Sequence, residues 1–297
     1  MDSLALINNI SAAFEVCTAH EIVPLWREFV MSFSRRNLGR KEDRLTAIAG
    51  IAERLPGTAE DYLAGLWRKA MPFELLWRCD QSQTARLEGR KTFRPSWSWG
   101  SVHCGVGWPA VPKARTVERP ELGKGKSGSE KGLDYLVSGT YFERGVEGVE
   151  VVSAEVEAMG SRFGQVKKGV LELVARTVTV RVESRDHDWV EGDGDKTVWV
   201  IVGMDGAELP FYPDVVFGHD GFHEGAKDSE GDTYLFVEIA SVKQDGKIWE
   251  AGLVVAKTPS ESGEYERVGM AGHSVCETRE GAEKWFAGLT PQPVRLV

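Results

Sequence analysis

The sequence has few cysteines and no long apolar run. Its four cysteines, Cys17, Cys79, Cys104 and Cys276, are far apart and form no Cys-x-x-Cys pair. This spacing argues against a disulfide framework and against a thiolate zinc site. No segment approaches the roughly 20 consecutive apolar residues that a membrane-spanning helix needs. The composition is therefore neither that of a small disulfide-rich domain nor that of a membrane-spanning protein.

Common catalytic motifs are also absent. The sequence contains no Gly-x-Ser-x-Gly elbow and no Gly-x-x-x-x-Gly-Lys-Ser/Thr loop. It therefore lacks the motifs that identify common serine hydrolases and phosphate-binding loops. The first residues carry an acid, Asp2, where a signal peptide would carry lysines. We therefore expect a cytoplasmic protein with no cofactor and no catalytic residue. The hypothesis of a carboxylate pair for glycoside hydrolysis stays open, because a sequence does not show the distances between side chains in space.

Positive charge is scarce in the second part of the chain. The 297 residues carry a net charge of -9. Residues 1–120 hold 17 Lys and Arg against 13 Asp and Glu, whereas residues 121–297 hold 19 against 32. The acidic part would repel nucleic-acid phosphates, so we expect no nucleic-acid partner. With 42% hydrophobic residues the chain can bury a sizeable core, and its length suggests about two domains.

The first quarter of the chain has a helical pattern. Apolar residues recur at three and four positions over 45–55, with a similar stripe upstream. Two further short helices are expected to begin near Thr58 and Pro72. Trp67 and Trp77 lie on the apolar faces of these two helices. Each helix has one apolar face and therefore needs a partner surface.

After about residue 90 the apolar period changes from that of a helix to that of a strand. Val178, Val180 and Val182 alternate with polar residues, as expected for a half-buried strand. Further β-rich runs, separated by Gly, Asp and Pro, cover 94–103, 149–159, 197–203, 233–242, 248–257 and 264–270.

Many short strands joined by turns indicate an antiparallel β-sandwich or barrel. We predict an α+β fold in which a segment of short helices, 1–90, packs on a β-rich domain, 91–297. Two stretches, 119–132 and 183–196, have the composition of loop insertions, and 280–289 is expected to form a closing helix.

Two clusters could hold a metal ion. His219 and His223 are four residues apart, which on a helix would place two imidazoles on one face. The neighbouring glycines favour a loop instead, so we assign no metal and keep both histidines as candidates only. Four aspartates crowd another segment, but their spacing does not match a calcium-binding loop, and a solvated acidic loop is favoured. They are Asp186, Asp188, Asp193 and Asp195.

Trp97 and Trp99 are two residues apart and would project from one face of a strand. There they could stack on a sugar ring or fill a core. Because an indole buries a large area, we expect at least one of them to pack against the sheet core or the helices.

Five segments, in this order, resemble the region that follows the HET (heterokaryon incompatibility) domain in fungal HET-domain proteins. They are FSRRNLGRKEDRLTAIAGIA (33–52), DYLAGLWRKAMPFELLWRC (61–79), RPSWSWGSV (94–102), FGQVKKGVLEL (163–173) and GLVVAKTPSESGEYERVGM (252–270). The resemblance implies a role in fungal allorecognition, the non-self recognition that follows hyphal fusion. In some members of the family this recognition leads to programmed cell death.

The HET domain itself is marked by blocks resembling Leu-Ser-Tyr-x-Trp-Gly and Trp-Ile-Asp-x-x-Cys-Ile-Asn-Gln, and neither occurs here. That domain is similar to TIR domains and would hold any nucleotide-hydrolysing or death-signalling activity. The resemblance therefore implies a chain without the signalling half, either as a fragment of a longer HET protein or as a free-standing relative, and it transfers no catalytic residue.

The sequence thus favours a non-enzymatic accessory or recognition module that binds a protein partner, and no membrane. One alternative is a carbohydrate-binding or carbohydrate-cleaving β domain that uses Trp97 and Trp99. Another is a metal-dependent enzyme at His219 and His223.

Overall fold

The structure is a computed structural model. It describes ten stretches of the chain. They are residues 19–36, 38–55, 59–80, 95–109, 149–186, 197–215, 233–244, 247–259, 263–272 and 285–297.

Two helices begin the described chain, as the apolar stripes predict. Helix α1 spans Ala19–Ser34 and buries Trp26 and Val30 on one face. Helix α2 spans Arg44–Ala52 and buries Leu45, Ile48 and Ala52. Both buried faces belong to one apolar core shared with the β structure.

The prediction of a helix that begins near Thr58 is wrong. After a 3-10 turn at Ala59–Asp61, strands β1 (Tyr62–Leu63) and β2 (Leu66–Trp67) form a hairpin. The turn residues Ala64 and Gly65 have φ angles of 50° and 95°. This left-handed pair fits the twist of a two-residue hairpin and cannot continue a helix.

The prediction of a helix at Pro72 is also wrong. The chain forms only a 3-10 turn there, Phe73–Leu76, which is followed by strand β3, Arg78–Cys79. Strand β3 pairs antiparallel with β4, Val106–Gly107. We refer to residues 19–80 and 95–109 together as the N-terminal layer.

The predicted strand over 94–103 is a set of tight turns, including a 3-10 turn at Trp99–Ser101. Serine hydroxyls bond the local backbone here. The Ser98 hydroxyl accepts the Gly100 N–H and donates to the carbonyl of Ala64, and the Ser101 hydroxyl donates to the carbonyl of Ser98. Such bonds compete with a strand ladder, and apolar alternation alone does not reveal them.

Nine strands form the main sheet. They are β5 (Glu150–Ala158), β6 (Val166–Ala175), β7 (Thr177–Asp186), β8 (Thr197–Gly203), β9 (Glu208–Pro213), β10 (Tyr234–Gln244), β11 (Lys247–Lys257), β12 (Glu264–Gly272) and β13 (Gln292–Leu296).

Six of these strands close into an antiparallel barrel in the order β7-β8-β9-β12-β11-β10, with β10 returning to β7. The other three extend the sheet from β12: β13 pairs parallel with β12, and β6 and β5 follow antiparallel. The α+β prediction, with short helices followed by an antiparallel barrel, is therefore confirmed.

The barrel strands that face the N-terminal layer are buried on both sides. In β11, Val254 points into the barrel core, whereas Leu253 and Val255 join the core formed with the helices. The barrel interior is filled by side chains that include Phe211, Phe236 and Phe286. Two-sided burial explains why this segment is continuously apolar and does not alternate.

Most predicted strands after 149 lie within a residue or two of their predicted bounds. The first residues of the predicted loop 183–196 instead continue β7, while 119–132 lies outside the described residues. Residues 285–288 of the expected closing helix form turns, and 280–284 also lie outside the description.

The predicted boundary near residue 90 lies within an undescribed stretch and stays a prediction, although β3 and β4 pair across it. Within the described part of the chain, no helix is long and apolar enough to cross a membrane.

Candidate functional site

A cavity of about 270 Å³ opens where the N-terminal layer meets the barrel. Helix α1, strands β3 and β4 with their flanking residues, and barrel strand β9 contribute its walls. We call it the Arg78 cavity, and it is lined by Met31, Arg35, Arg78, Cys79, Asp80, Gly107, Trp108 and Tyr212. Because its walls come from both parts of the chain, the cavity exists only when the layer is docked on the barrel.

Arg78 is the main cationic group of the cavity. Its guanidinium carbon lies 4.2 Å from the ring centroid of Tyr212, so the cation lies over the aromatic ring. Both side chains are half-buried. The Arg78 guanidinium makes no hydrogen bond and no ion pair with any residue that the structure describes, although the Arg78 backbone pairs with β4. Its N–H donors are thus held in place by the ring and are available to a ligand.

The second arginine is partly neutralised. Nε of Arg35 donates to Oδ2 of Asp80 at 3.0 Å, and 46% of the Arg35 side chain is exposed. The Asp80 backbone N–H donates to the carbonyl of Gly105, which fixes the position of the carboxylate. Two arginines and one aspartate leave the described wall with one net positive charge in a chain whose net charge is -9.

Trp108 contacts both members of a partly buried ion pair, Arg27 and Glu74. Its indole N–H donates to the carbonyl of Glu74 at 3.1 Å, and the Arg27 guanidinium lies 5.5 Å from its ring centroid. Nε of Arg27 donates to Oε1 of Glu74 at 2.6 Å. Burial raises the pKa of Glu74, although the charge and hydrogen bond of Arg27 oppose the shift.

Cys79, which lines the cavity, contacts Cys104, and their Sγ atoms are in hydrogen-bonding contact. Both thiols are free and buried. The contact with Cys104, then burial, then the charge of Asp214 raise the pKa of Cys79 well above its ordinary value. A raised thiol pKa disfavours the nucleophilic thiolate. The wide spacing of the cysteines in sequence gave no sign of this contact.

A second buried ion pair lies beyond the cysteines. Nε of Arg267 donates to Oδ2 of Asp214 at 2.6 Å, and neither side chain is exposed. The same guanidinium donates to the carbonyls of Leu75 and Trp77 and lies 3.5 Å from the Trp77 ring centroid. Arg267 belongs to barrel strand β12, so this group joins the N-terminal layer to the barrel.

Each tryptophan singled out in the sequence is a core residue. Trp97 and Trp99 are 0% exposed, which confirms that at least one of them is buried. Neither therefore offers a face to a sugar ring. Trp99 donates to the carbonyl of Gly65, and Trp77 donates to the carbonyl of Trp97. Trp67 is 5% exposed and lies edge-on to Tyr62.

Most of the candidate metal ligands lie outside the part of the chain that the structure describes. His219 and His223 lie outside the described residues, as do Asp188, Asp193 and Asp195, whereas Asp186 ends β7. In the described ranges, no three His, Cys, Asp or Glu side chains cluster so as to hold a metal ion. The metal hypothesis at the two histidines stays a prediction.

Sequence reasoning did not find Arg78 or Tyr212. They are 134 positions apart and meet only because β3 packs beside β9. The segment 61–79 carried the single available signal, an arginine directly after the apolar run FELLW.

Comparison of the chain with family models, with curated proteins and with solved structures finds no match.

Proposed function

We propose that the chain is a recognition module of a fungal HET-type protein, without catalytic activity of its own, and that it binds a protein partner at the Arg78 cavity. Two observations support the proposal. The five sequence segments resemble the region after the HET domain, and the cavity presents a cation and aromatic rings at the junction of two structural parts. The observation that carries it is the Arg78 guanidinium, which has no hydrogen-bond or ion-pair partner among the described residues.

The cavity is a better candidate than the barrel interior. The interior is packed with large side chains, including Phe211, Phe236 and Phe286. A packed barrel supplies a rigid frame, whereas the Arg78 cavity has an open concave surface with a fixed polar group, as binding sites usually have.

The chemistry of the cavity favours binding over catalysis. Among the described lining residues, the one thiol, Cys79, has a raised pKa, and the one carboxylate, Asp80, is paired with Arg35. A catalytic nucleophile needs an activating base or a lowered pKa. Both alternatives from the sequence have less support: Trp97 and Trp99 are enclosed, and His219 and His223 carry no structural observation.

The proposal is tested in the cytoplasm of a filamentous fungus, with the chain produced alone and joined to a HET domain. We expect the chain alone to be harmless and the fusion to trigger cell death when the partner is present. Tyr212→Ala, which removes the ring beneath Arg78, should abolish this response. Met204→Ala should not, because Met204 is 80% exposed and does not line the cavity.

The competing outcome is enzymatic. We expect the purified chain to leave NAD unchanged and to bind no nucleotide tightly, since an acidic chain disfavours a polyphosphate ligand. Loss of NAD catalysed by residues 1–297 alone, abolished both by heat and by Asp80→Asn, would replace the proposal with an enzyme.

A further inference from the structure

We infer that the ligand group of the Arg78 cavity is a carboxylate attached to a flat apolar body. The inference rests on the proposed function in one respect only, the use of this cavity as the binding site. It adds the chemical class of the group that enters.

The first step is the contrast between Arg78 and the other enclosed arginines of the described chain. Each of the others has a carboxylate or several carbonyls as partners, as a guanidinium removed from water requires. They are Arg27 with Glu74, Arg44 with the carbonyls of Val102 and Cys104, Arg68 with the carbonyls of Glu60 and Ala154, Arg176 with Glu238, Arg185 with Glu183 and Glu208, Arg267 with Asp214, and Arg295 with Glu172 and Glu264. Arg78 is half-buried, and among the described residues its guanidinium contacts the Tyr212 ring and has no oxygen partner. A ligand would supply the oxygen atoms that this site lacks.

The second step decides between a carboxylate and a phosphate. A guanidinium presents parallel N–H donors that match either group. Asp80 lies in the same wall and already occupies Arg35, so the described wall has one net positive charge. The single positive charge of the wall balances the charge of a carboxylate. A phosphate dianion would leave one negative charge unbalanced, close to Asp80. The charge balance therefore favours a monoanion.

The third step concerns the rest of the ligand. Met31 and Trp108 give the cavity apolar walls beside the Arg78 guanidinium. The volume of about 270 Å³ is far larger than the space that a single water molecule needs. This space accepts a single aromatic ring with its carboxylate. It could come from a free aromatic acid or from a protein chain that ends in an aromatic residue.

The experiment uses the full chain and two probes that differ in charge alone. Benzoate and benzamide have nearly the same shape, so a difference in their affinities, measured by calorimetric titration, reports the charge of the site. We expect benzoate to bind at least about tenfold more tightly than benzamide, because hydrogen bonds to a charged acceptor are the stronger ones. Added salt should weaken benzoate binding and leave benzamide binding unchanged.

Variants assign the effect to one residue. Arg78→Gln should abolish the preference for benzoate, and Arg78→Lys should retain part of it, since it keeps the charge and loses the planar fork. Arg162→Gln is the matched control: it removes the same charge from an exposed position in the β5–β6 turn, away from the cavity. Equal affinities for the two probes, or a benzoate preference that survives in Arg78→Gln, would overturn the inference.

If Arg78→Gln fails to fold, NMR spectra of the parent chain still test the inference. Benzoate should shift the NMR signals of the Trp108 indole N–H and the Gly107 amide, and leave those of Met204 unchanged. Shifts confined to other regions would also overturn the inference.

A further arm identifies the source of the carboxylate. A short peptide ending in phenylalanine is compared with the same peptide amidated at its C-terminus. Binding of the free-acid peptide indicates a protein chain end, and binding of benzoate alone indicates a free acid; both outcomes support a carboxylate site. The proposed function fails separately, if the fusion triggers no cell death, if Tyr212→Ala leaves the response intact, or if the chain alone hydrolyses NAD.

Discussion

Arg267 and Asp214 form an ion pair in which neither side chain is exposed to solvent. Asp214 follows strand β9, and Arg267 lies in β12, so the pair joins neighbouring barrel strands. Through the carbonyls of Leu75 and Trp77, the same guanidinium also holds the N-terminal layer. One side chain thus couples the barrel to the layer that carries most of the Arg78 cavity.

Replacing Arg267 with Gln should therefore destabilise the whole chain. Removing one partner of a buried pair leaves an uncompensated charge and typically costs about 3–5 kcal/mol in the free energy of unfolding. Urea denaturation measures this loss. The control is Arg185→Gln, which breaks a surface pair with Glu208 and should cost about 1 kcal/mol or less. Similar losses of unfolding free energy in the two variants would mean that the buried pair does not couple the barrel to the N-terminal layer.

The layer and the barrel should unfold as one cooperative unit. A chain that begins at residue 91 lacks both helices and β3, and it would expose the outer apolar face of β10 and β11, including Val237 and Leu253. Exposed apolar surface of this kind promotes association. We expect that chain to aggregate and to bind a hydrophobic dye, as size-exclusion chromatography and dye fluorescence would show. A monomeric fragment with the parent's melting temperature would contradict the prediction.

Gly65 tests the hairpin that the sequence pattern missed. Its φ angle is 95°, and a Cβ atom there would lie 2.6 Å from Nε1 of Trp99. Gly65→Ala should therefore cost at least about 2 kcal/mol, from backbone strain and steric overlap together. Gly206→Ala is the control, because Gly206 also has a positive φ, of 84°, but a Cβ there meets nothing within 4 Å. Thermal melts of both variants separate strain from overlap, and equal losses would rule out the overlap.

The sequence predicted the parts of the fold that depend on apolar period. Helices α1 and α2 and most long strands follow from it, because a continuous buried face imposes a period on the chain. The segment 58–80 was predicted as helix for the same reason, yet Ala64 and Gly65 adopt left-handed angles there and the chain turns back. Local backbone geometry overrode a short apolar stripe.

The candidate site was not predictable in the same way. Arg78 and Tyr212 come from distant strands, and their contact depends on how β3 packs beside β9. Cys79 and Cys104 were set aside for their spacing, although the β3–β4 pairing brings their thiols together. Separation along the chain carries no information on such contacts, whereas the tryptophan prediction succeeded because size alone favours burial.

Glu74 should make stability depend on pH. Burial raises its pKa in the native state, so the native state binds this proton more tightly than the unfolded state does. Its contribution to stability is therefore complete below the pKa of an unfolded glutamate, and it is lost as pH rises through the native pKa. In Glu74→Gln this group no longer titrates.

We expect the free energy of unfolding of the parent to fall relative to that of Glu74→Gln as pH rises through this window. Urea denaturation of both chains across a pH series measures the difference. A difference between parent and Glu74→Gln that is constant with pH would contradict the raised pKa.

Cys79 should react slowly although it lines a cavity. The thiolate is the reactive form, and the contact with Cys104, burial and the Asp214 charge all raise the pKa of this thiol. Timed pulses of iodoacetamide followed by peptide mass spectrometry should show far slower labelling of Cys79 in the folded chain than in urea, with a rate that rises with pH.

Cys104→Ala removes the largest of these causes and should accelerate the labelling of Cys79. The substitution also loosens the packing, so Val106→Ala is needed beside it: Val106 is buried and pairs with Cys79 across the β3–β4 ladder, and its truncation opens space without removing a thiol. Faster labelling in Cys104→Ala than in Val106→Ala would assign the slow reaction to the thiol pair. Equal rates would assign it to packing alone, because both variants admit the reagent and only one of them changes the electrostatic surroundings of Cys79.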